Sequence, residues 1–168
     1  MLTKEQIQNL SQELKIDTFT VFREYLQIVW LNSFYKTKGS EKVYFKGGTA
    51  LRVMFNSPRF SEDLDFSTTL SAKDIAQLAT KATKTTQGEI PNLNLKLVWR
   101  GKKSIRYRLS YQDENLKFPL NIRLDFSFEK NLLPPESLCC VWSLPPLLLS
   151  VPRNGFRLCS VVEGWGDQ

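Results

Sequence analysis

The sequence predicts an α+β fold (a mixed α/β arrangement) in which a mixed β-sheet is flanked by helices. Three observations lead to this prediction. Two N-terminal stretches repeat apolar residues at helical spacing, several later stretches alternate apolar and polar residues as half-buried strands do, and the helical and extended stretches are interspersed along the chain. A chain of 168 residues fits one domain and can bury a sizeable core.

Two helices are predicted in the N-terminal third of the chain. Thr3 and Gln6 have the spacing of a capping box, which predicts a first helix carrying Ile7 and later apolar residues. A longer helix is expected to begin near Asp17 or Thr18 and to stop at Gly39. Its apolar face is predicted to consist of Phe22, Tyr25, Leu26, Val29 and Phe34. Both helices are expected to pack on the sheet and support it.

A strand, a turn and a helix are predicted next. Residues 43–46 indicate a short strand that ends at the Gly47–Gly48 pair. Thr49 is predicted to cap a helix over residues 50–55, which Pro58 forces to end. The glycines allow positive φ angles and close approach of a ligand to the main chain. The N–H groups at the start of the helix favour an anion, and Arg52, one turn along, could lie beside it.

The next strand is predicted over residues 63–67, followed by a helix that a Ser71–Asp74 capping box begins and that runs to about Thr86. Two alternating stretches then predict strands joined by a hairpin turn at residues 101–103, and residues 120–128 predict a last strand. The apolar faces are expected to be Leu93, Leu95, Leu97 and Trp99 on the first, Ile105, Tyr107, Leu109 and Tyr111 on the second, and Ile122, Leu124, Phe126 and Phe128 on the third. Basic residues expected to face away are Lys96, Arg100, Arg106 and Arg108.

Composition limits the kinds of function that fit. The 23 Lys and Arg residues exceed the 17 Asp and Glu residues, and the pI near 9.3 favours anionic partners such as nucleotides or nucleic acid. The absence of His excludes histidine bases and most zinc sites. Three Cys residues, at 139, 140 and 159, fit no metal or disulfide spacing and favour a reducing cytoplasm. No apolar run approaches the roughly 18–20 residues of a membrane span, so no membrane partner is expected.

Paired carboxylates give the strongest chemical signal. Asp63 and Asp65 are two residues apart on a predicted strand, so they share one face while Leu64 and Phe66 face the core. Two carboxylates on one face repel each other unless cations are supplied, and hard oxygen ligands suit Mg²⁺. Asp125 lies on the polar face of another apolar strand. If the two strands are neighbours, the three aspartates could hold two metal ions.

The order and spacing of these residues resemble a known family. The segments 46–52 (KGGTALR) and 59–66 (RFSEDLDF), with thirteen residues between Thr49 and Asp63 and a later strand aspartate, resemble the nucleotidyltransferase superfamily that includes DNA polymerase β. More narrowly, they resemble the AbiEii/AbiGii toxin family of bacterial toxin–antitoxin and abortive-infection systems. The resemblance covers about residues 1–130.

The resemblance implies a magnesium-dependent nucleotidyltransferase. Such an enzyme uses a nucleoside triphosphate and two Mg²⁺ ions and transfers a nucleoside monophosphate to an acceptor hydroxyl, with RNA or tRNA ends as expected acceptors and an antitoxin as an expected partner. On this basis Asp63, Asp65 and Asp125 are the predicted catalytic and metal-binding residues. The predicted nucleotide-binding residues are Gly47, Gly48, Thr49, Arg52 and Ser61. A basic track for acceptor phosphates is predicted at Arg100, Arg106, Arg108, Lys102 and Lys103.

The composition changes after Lys130. Residues 131–168 contain no Lys, all three Cys, five of the eight Pro and a net charge of −1. Residues 1–130 are therefore interpreted as a nucleotidyltransferase-like domain, and residues 131–168 as a divergent or truncated C-terminal tail. The family's usual helical continuation, with a lysine taken to contact the nucleotide, does not match this tail. Two alternatives stay open beside the enzyme: an inactive remnant that binds nucleotide or RNA, and a phosphotransferase acting on a small-molecule or protein hydroxyl.

Overall fold

A five-stranded mixed sheet organises the chain in the computed structural model, which describes residues 2–55, 57–113, 116, 118–130 and 132. Four α-helices accompany the sheet in this part of the chain. The elements are α1 (Lys4–Leu14), α2 (Thr18–Tyr35), a 3₁₀ turn (Ser40–Lys42), β1 (Val43–Lys46), α3 (Gly47–Phe55), β2 (Asp63–Thr68), α4 (Ala72–Gln87), β3 (Leu93–Arg100), β4 (Ser104–Tyr111) and β5 (Leu120–Phe128). The predicted α+β fold is confirmed.

The strands are arranged in the order β1-β2-β5-β4-β3. The pair β2–β5 is parallel, while β1–β2, β5–β4 and β4–β3 are antiparallel, which makes the sheet mixed as predicted. β5 thus returns from the far end of the described chain to lie beside β2. This placement brings two strands that are distant in sequence into direct contact.

Helix caps occur where the sequence predicts them. Thr3 and Ser71 form reciprocal capping boxes, and the Asp17 side chain accepts a hydrogen bond from the Thr20 N–H. Helix α2 is buried around almost its whole circumference, so it forms the centre of the core. The predicted end of this helix at Gly39 was wrong. α2 stops at Tyr35, and Gly39, with φ +103°, instead begins the 3₁₀ turn.

Aromatic packing fixes the orientation of the two central strands. The Phe66 and Phe126 rings stack with their centroids 4.6 Å apart, and both rings contact Phe34 of α2. These residues and the neighbouring Leu64 and Leu124 are fully buried. Because side chains alternate along a strand, burying these positions turns the intervening residues of β2 and β5 to the opposite face of the sheet.

A β-bulge corrects the prediction for β3. Leu97 aligns with Tyr107 of β4, but Trp99 aligns with Arg106 and Arg100 with Ile105, so Val98 is the extra residue. An extra residue reverses the alternation of faces. The predictions that Trp99 shares a face with Leu97 and that Arg100 faces away from the core were therefore wrong, since each lies on the opposite face.

The predicted tail lies almost entirely outside the described residues, since residue 132 alone of positions 131–168 is described. The division at residue 130 therefore stays a prediction. Across the part of the chain that is described, no helix combines the length and apolar character needed to cross a bilayer.

Candidate active site

Three aspartates lie on one face of the sheet where β2 and β5 run side by side. Asp65 is in direct register with Asp125, and Asp63, two residues earlier on β2, is in register with Arg123. The predicted neighbourhood of Asp63, Asp65 and Asp125 is therefore found. Their roles in metal binding and catalysis stay predictions.

A single row of side chains crosses all five strands through these carboxylates. The strand registers align Lys46 with Asp65, Asp65 with Asp125, Asp125 with Arg106 and Arg106 with Trp99. Residues aligned across neighbouring strands share a face, and strands lie about 4.8 Å apart, so the row is roughly 20 Å long. The row places the carboxylates between a cation on the β1 side and a cation followed by an aromatic ring on the β3 side.

Arginines pair with two of the three carboxylates. The Arg106 guanidinium donates to Asp125 Oδ2 at 2.5 and 2.8 Å, and Arg123 pairs with Asp63. Among the described residues, no three His, Cys, Asp or Glu side chains come close enough together to hold one metal ion. Metal binding by Asp63, Asp65 and Asp125 therefore stays a prediction, and in this arrangement two of the three side chains are paired with arginines.

Electrostatics at Asp65 nevertheless favour a cation. Burial raises the pKa of the Asp65 carboxyl above its usual range, the charges of Asp63 and Asp125 raise this pKa further, and Arg123 and Lys46 oppose the shift. Ionised Asp65 thus lies in a region with too little positive charge. Carboxylate oxygens are the ligands that Mg²⁺ prefers, so the residues present fit a divalent ion bound at these aspartates.

Gly47 lies directly against Asp65. Its φ of +81° is in the left-handed region, and a Cβ atom at this position would be 2.5 Å from Asp65 Oδ2. A Cβ atom on Gly48 would be 3.3 Å from the Cβ and Oγ atoms of Ser61. Gly47 therefore brings the main chain close to β2, and Gly48 brings it close to the loop that precedes β2.

Helix α3 begins earlier than the sequence predicts. The prediction that Thr49 caps a helix over residues 50–55 was wrong, because the helix starts at Gly47. Thr49 is buried within the first turn, and its hydroxyl donates to the Asp63 carbonyl at 2.5 Å. The N–H groups that have no partner within the helix therefore belong to residues 47–50, near Asp65.

Arg52 is buried in an internal ion pair. Its Nε donates to Glu24 Oε1 at 2.5 Å, another guanidinium nitrogen donates to the Ser57 carbonyl at 2.6 Å, and the group lies 3.6 Å from the centroid of the Phe60 ring. Because these contacts occupy the guanidinium, the arrangement favours a structural role and leaves the predicted phosphate contact of Arg52 without support.

Thr49, Arg52 and Ser61, three of the five predicted nucleotide-binding residues, line one cavity of about 120 Å³. Pockets that hold drug-sized ligands are typically about 300–1,000 Å³. The cavity is smaller than this range, and the nucleotide-binding roles of these three residues stay predictions.

Sequence reasoning missed several residues of the site. Lys46 lies opposite Asp65 and its Nζ is 3.4 Å from Glu129 Oε1, while the Ser67 hydroxyl donates to the same oxygen at 2.5 Å. Arg123 pairs with Asp63, whereas the alternation along β5 marks it only as a polar position. These roles depend on strand register, for which the sequence carries no direct signal.

The predicted acceptor track divides between the two faces. Arg106 and Arg108 lie on the carboxylate face, Arg100 aligns with the opposite face, and Lys102 and Lys103 are exposed in the β3–β4 turn. The register therefore keeps the two β4 arginines beside the aspartates and separates Arg100 from them.

Gly47→Ala is expected to damage the site more than Gly48→Ala does. Alanine at position 47 would have a positive φ, which costs about 1–2 kcal/mol, and its Cβ would displace the Asp65 carboxylate. At position 48 only a tight contact with Ser61 is added. Denaturant unfolding should show a lower midpoint for Gly47→Ala than for Gly48→Ala. Equal stability of the two variants would contradict this account of the turn.

Comparison with known families identifies the fold. A family model described as the nucleotidyl transferase AbiEii toxin of a type IV toxin–antitoxin system matches residues 30–141, more than half of the chain. The chain belongs to the AbiEii family. The resemblance inferred from the two motifs is thereby confirmed, and the AbiEii family is one of transferase enzymes.

Solved structures show the same fold as this AbiEii-family chain. JHP933 from Helicobacter pylori is 24% identical with a TM-score of 0.51, and the alignment covers 67% of this chain and 45% of that protein. MenT4, a nucleotidyltransferase toxin from Mycobacterium tuberculosis, is 20% identical with a TM-score of 0.60, and the alignment covers 97% of this chain and 56% of that protein. The chain thus spans about half the length of these structures. A comparison with curated proteins gives no match.

Proposed function

We propose that this chain is a magnesium-dependent nucleotidyltransferase that transfers a nucleoside monophosphate from a nucleoside triphosphate to a hydroxyl at an RNA end, with tRNA as the favoured acceptor class. The observation that carries the proposal is the direct register of Asp65 with Asp125, next to the positive-φ turn at Gly47. Membership of a toxin family supports a toxin role, a cognate antitoxin as partner and action in the cytoplasm.

The reaction requires one bond to form and one to break at the α-phosphorus. The acceptor oxygen bonds to the α-phosphorus, the bond from that phosphorus to the oxygen bridging to the β-phosphorus breaks, and pyrophosphate leaves. The hydroxyl proton passes to a carboxylate, and Asp125 is the candidate because it lies on the side of the row away from the Gly47 turn. This assignment puts the general base, Asp125, on the side of the row away from the triphosphate.

The triphosphate is assigned to the β1 side of the row. There the N–H groups at the start of α3, which have no partner within the helix, and the Lys46 ammonium supply positive charge. Mg²⁺ would be held by Asp63, Asp65 and Asp125, and when bound it supplies Lewis-acid stabilisation of the charge that develops on the phosphoryl oxygens. Binding of the ion by all three would require Asp125 and Asp63 to exchange their contacts with Arg106 and Arg123 for contacts with the ion.

Incubating the full 168-residue chain with radiolabelled nucleoside triphosphates, Mg²⁺ and total tRNA tests the proposal. Transfer of label to RNA is the expected result. Nucleotide binding without transfer to any acceptor would favour the inactive remnant, and transfer that persists with RNA omitted would favour a phosphotransferase acting on another hydroxyl. The phosphotransferase alternative needs a separate test because the residues of this face are more informative about the triphosphate than about the acceptor hydroxyl.

Removing divalent metal should abolish the transfer. Each decade of rate corresponds to about 1.4 kcal/mol, so losing several kcal/mol of charge stabilisation predicts a fall of about 100-fold or more. The measurement is the initial rate of transfer in excess EDTA, with recovery on adding Mg²⁺ beyond the chelator. An undiminished rate in EDTA would contradict the metal-dependent mechanism.

A further inference from the structure

The bulge in β3 places a large aromatic ring on the carboxylate face. Trp99 aligns with Arg106, and Arg106 aligns with Asp125, so the indole belongs to the same row as the aspartates. The Trp99 side chain is 48% exposed, and a Cβ atom on Gly101 would be 2.1 Å from its Cη2 atom. The indole therefore lies against the bare main chain of Gly101 and still presents about half its surface to solvent.

A neighbouring row concentrates positive charge beside this ring. Lys96 aligns with Arg108, and Arg108 aligns with Arg123, which also pairs with Asp63, so Lys96 and Arg108 face each other as like charges on adjacent strands. Like charges in such positions destabilise a sheet, so this arrangement favours an anion lying across it. On the carboxylate face, strands β3, β4 and β5 carry four basic residues, Lys96, Arg106, Arg108 and Arg123, and one acidic residue, Asp125.

The position of the ring along the row distinguishes the two reactants. The Gly47 turn and Lys46 lie on the β1 side of the aspartates, whereas Trp99 lies two strands beyond Asp125, at roughly 10 Å. In phosphoryl transfer the attacking and leaving oxygens are roughly in line on opposite sides of the phosphorus. If the triphosphate lies on the β1 side, the β3 side belongs to the acceptor.

We propose that the β4–β3 side of this face binds the unpaired strand at the acceptor end of an RNA, with its phosphates on Lys96 and Arg108 and a base stacked on Trp99. The inference rests on the proposed function, since it names where the acceptor lies. Positively charged grooves with stacking aromatic rings are the common means of binding single strands, and stacking tolerates any base. The site should therefore prefer unpaired over paired RNA and show little sequence preference.

Fluorescence anisotropy with the full-length chain and a labelled single-stranded RNA tests the inference. Trp99→Ala should weaken binding about ten-fold, and Trp99→Phe, which keeps a stacking ring, should lose much less. Leu97→Ala is the matched control, because Leu97 is equally exposed at 48% on the same strand but aligns with the other face. Arg108→Ala should reduce the slope of log affinity against log salt by about one.

The outcomes separate this inference from the proposed function. Trp99-dependent RNA binding without any nucleotide transfer would leave the inference standing and remove the proposed function. Transfer to tRNA with unchanged RNA affinity in Trp99→Ala would overturn the inference and leave the proposed function standing. Equal losses in Trp99→Ala and Leu97→Ala, absence of RNA binding by the wild type, or weakening of triphosphate binding alone would overturn the inference. Loss of antitoxin binding in Trp99→Ala with unchanged RNA affinity would overturn it in favour of a protein partner.

Discussion

Asp65→Asn is expected to lower the rate of nucleotide transfer by about 100- to 1,000-fold, because the variant removes one negative charge from the centre of the carboxylate row. An amide of the same size offers a carbonyl oxygen but no negative charge, so it is a weaker ligand of a divalent ion than an ionised carboxylate. The measurement is the initial rate of label transfer from nucleoside triphosphate to RNA. Ser127→Ala is a suitable control, because Ser127 lies on the same strand and the same face as Asp125.

Stability should change in the opposite direction from activity in this variant. The pKa of Asp65 is raised by burial and by the neighbouring carboxylates, so its ionised form is less favourable in the folded protein than in the unfolded chain. The folded state therefore loses stability as the pH rises from the ordinary aspartate pKa through the raised pKa of Asp65, and Asn avoids this loss. At neutral pH, Asp65→Asn should unfold at the same denaturant concentration as the wild type or at a higher one. Wild-type transfer rates in a stably folded Asp65→Asn would contradict the assignment.

Arg52→Ala is expected to destabilise the fold by about 3–5 kcal/mol, because it leaves the Glu24 carboxylate buried without its partner. Both side chains are less than 10% exposed, and their closest atoms are 2.5 Å apart. Single domains have only about 5–15 kcal/mol of stability in total. The loss should appear as a large fall in the urea midpoint followed by far-ultraviolet circular dichroism.

A double variant distinguishes the cost of leaving a buried charge unpaired from the cost of losing packing contacts. Replacing Glu24 and Arg52 together with leucine removes both charges, so the double variant should recover most of the stability that Arg52→Ala loses. The alternative role for Arg52, a contact with the triphosphate, predicts a raised KM with unchanged stability. That result for Arg52→Ala would contradict the structural assignment.

Much of the fold could be predicted because local signals agreed with the final packing. The capping residues Thr3, Asp17 and Ser71 mark the starts of three helices, and the alternation along β5 predicts its buried face. The face of the sheet on which Asp65 and Asp125 lie could be predicted because each aspartate interrupts a strand whose other side is apolar, whereas their direct alignment depends on the pairing of β2 with β5. Burial of the flanking residues then permits one orientation only.

Other features depend on contacts that the sequence does not reveal. The bulge at Val98 is hidden because Leu93, Leu95, Leu97 and Trp99 continue an apolar alternation, although the extra residue reverses the faces. The Glu24–Arg52 pair joins α2 to α3 across a distance in sequence that no local pattern spans. The only available signal was an acidic residue within the apolar surroundings of α2.

The start of α3 was misplaced for a related reason. Glycine is a poor helix former, so Gly47 and Gly48 were expected to precede the helix and Thr49 to cap it. In the structure Gly47 has the positive φ that the turn onto Asp65 requires, and the Thr49 hydroxyl is used to attach α3 to β2. A tertiary contact therefore decides the boundary in place of the local capping preference.

The most direct test of the central claim is which phosphorus of the nucleoside triphosphate reaches the acceptor. Parallel reactions of the full-length chain with tRNA, Mg²⁺ and triphosphate labelled at either the α- or the γ-phosphorus distinguish the two kinds of transferase. The account predicts that the α label becomes attached to RNA, that pyrophosphate is released in equal amount, and that the γ label stays off the RNA. Transfer of the γ label to RNA or to another acceptor, with no attachment of the α label, would contradict it.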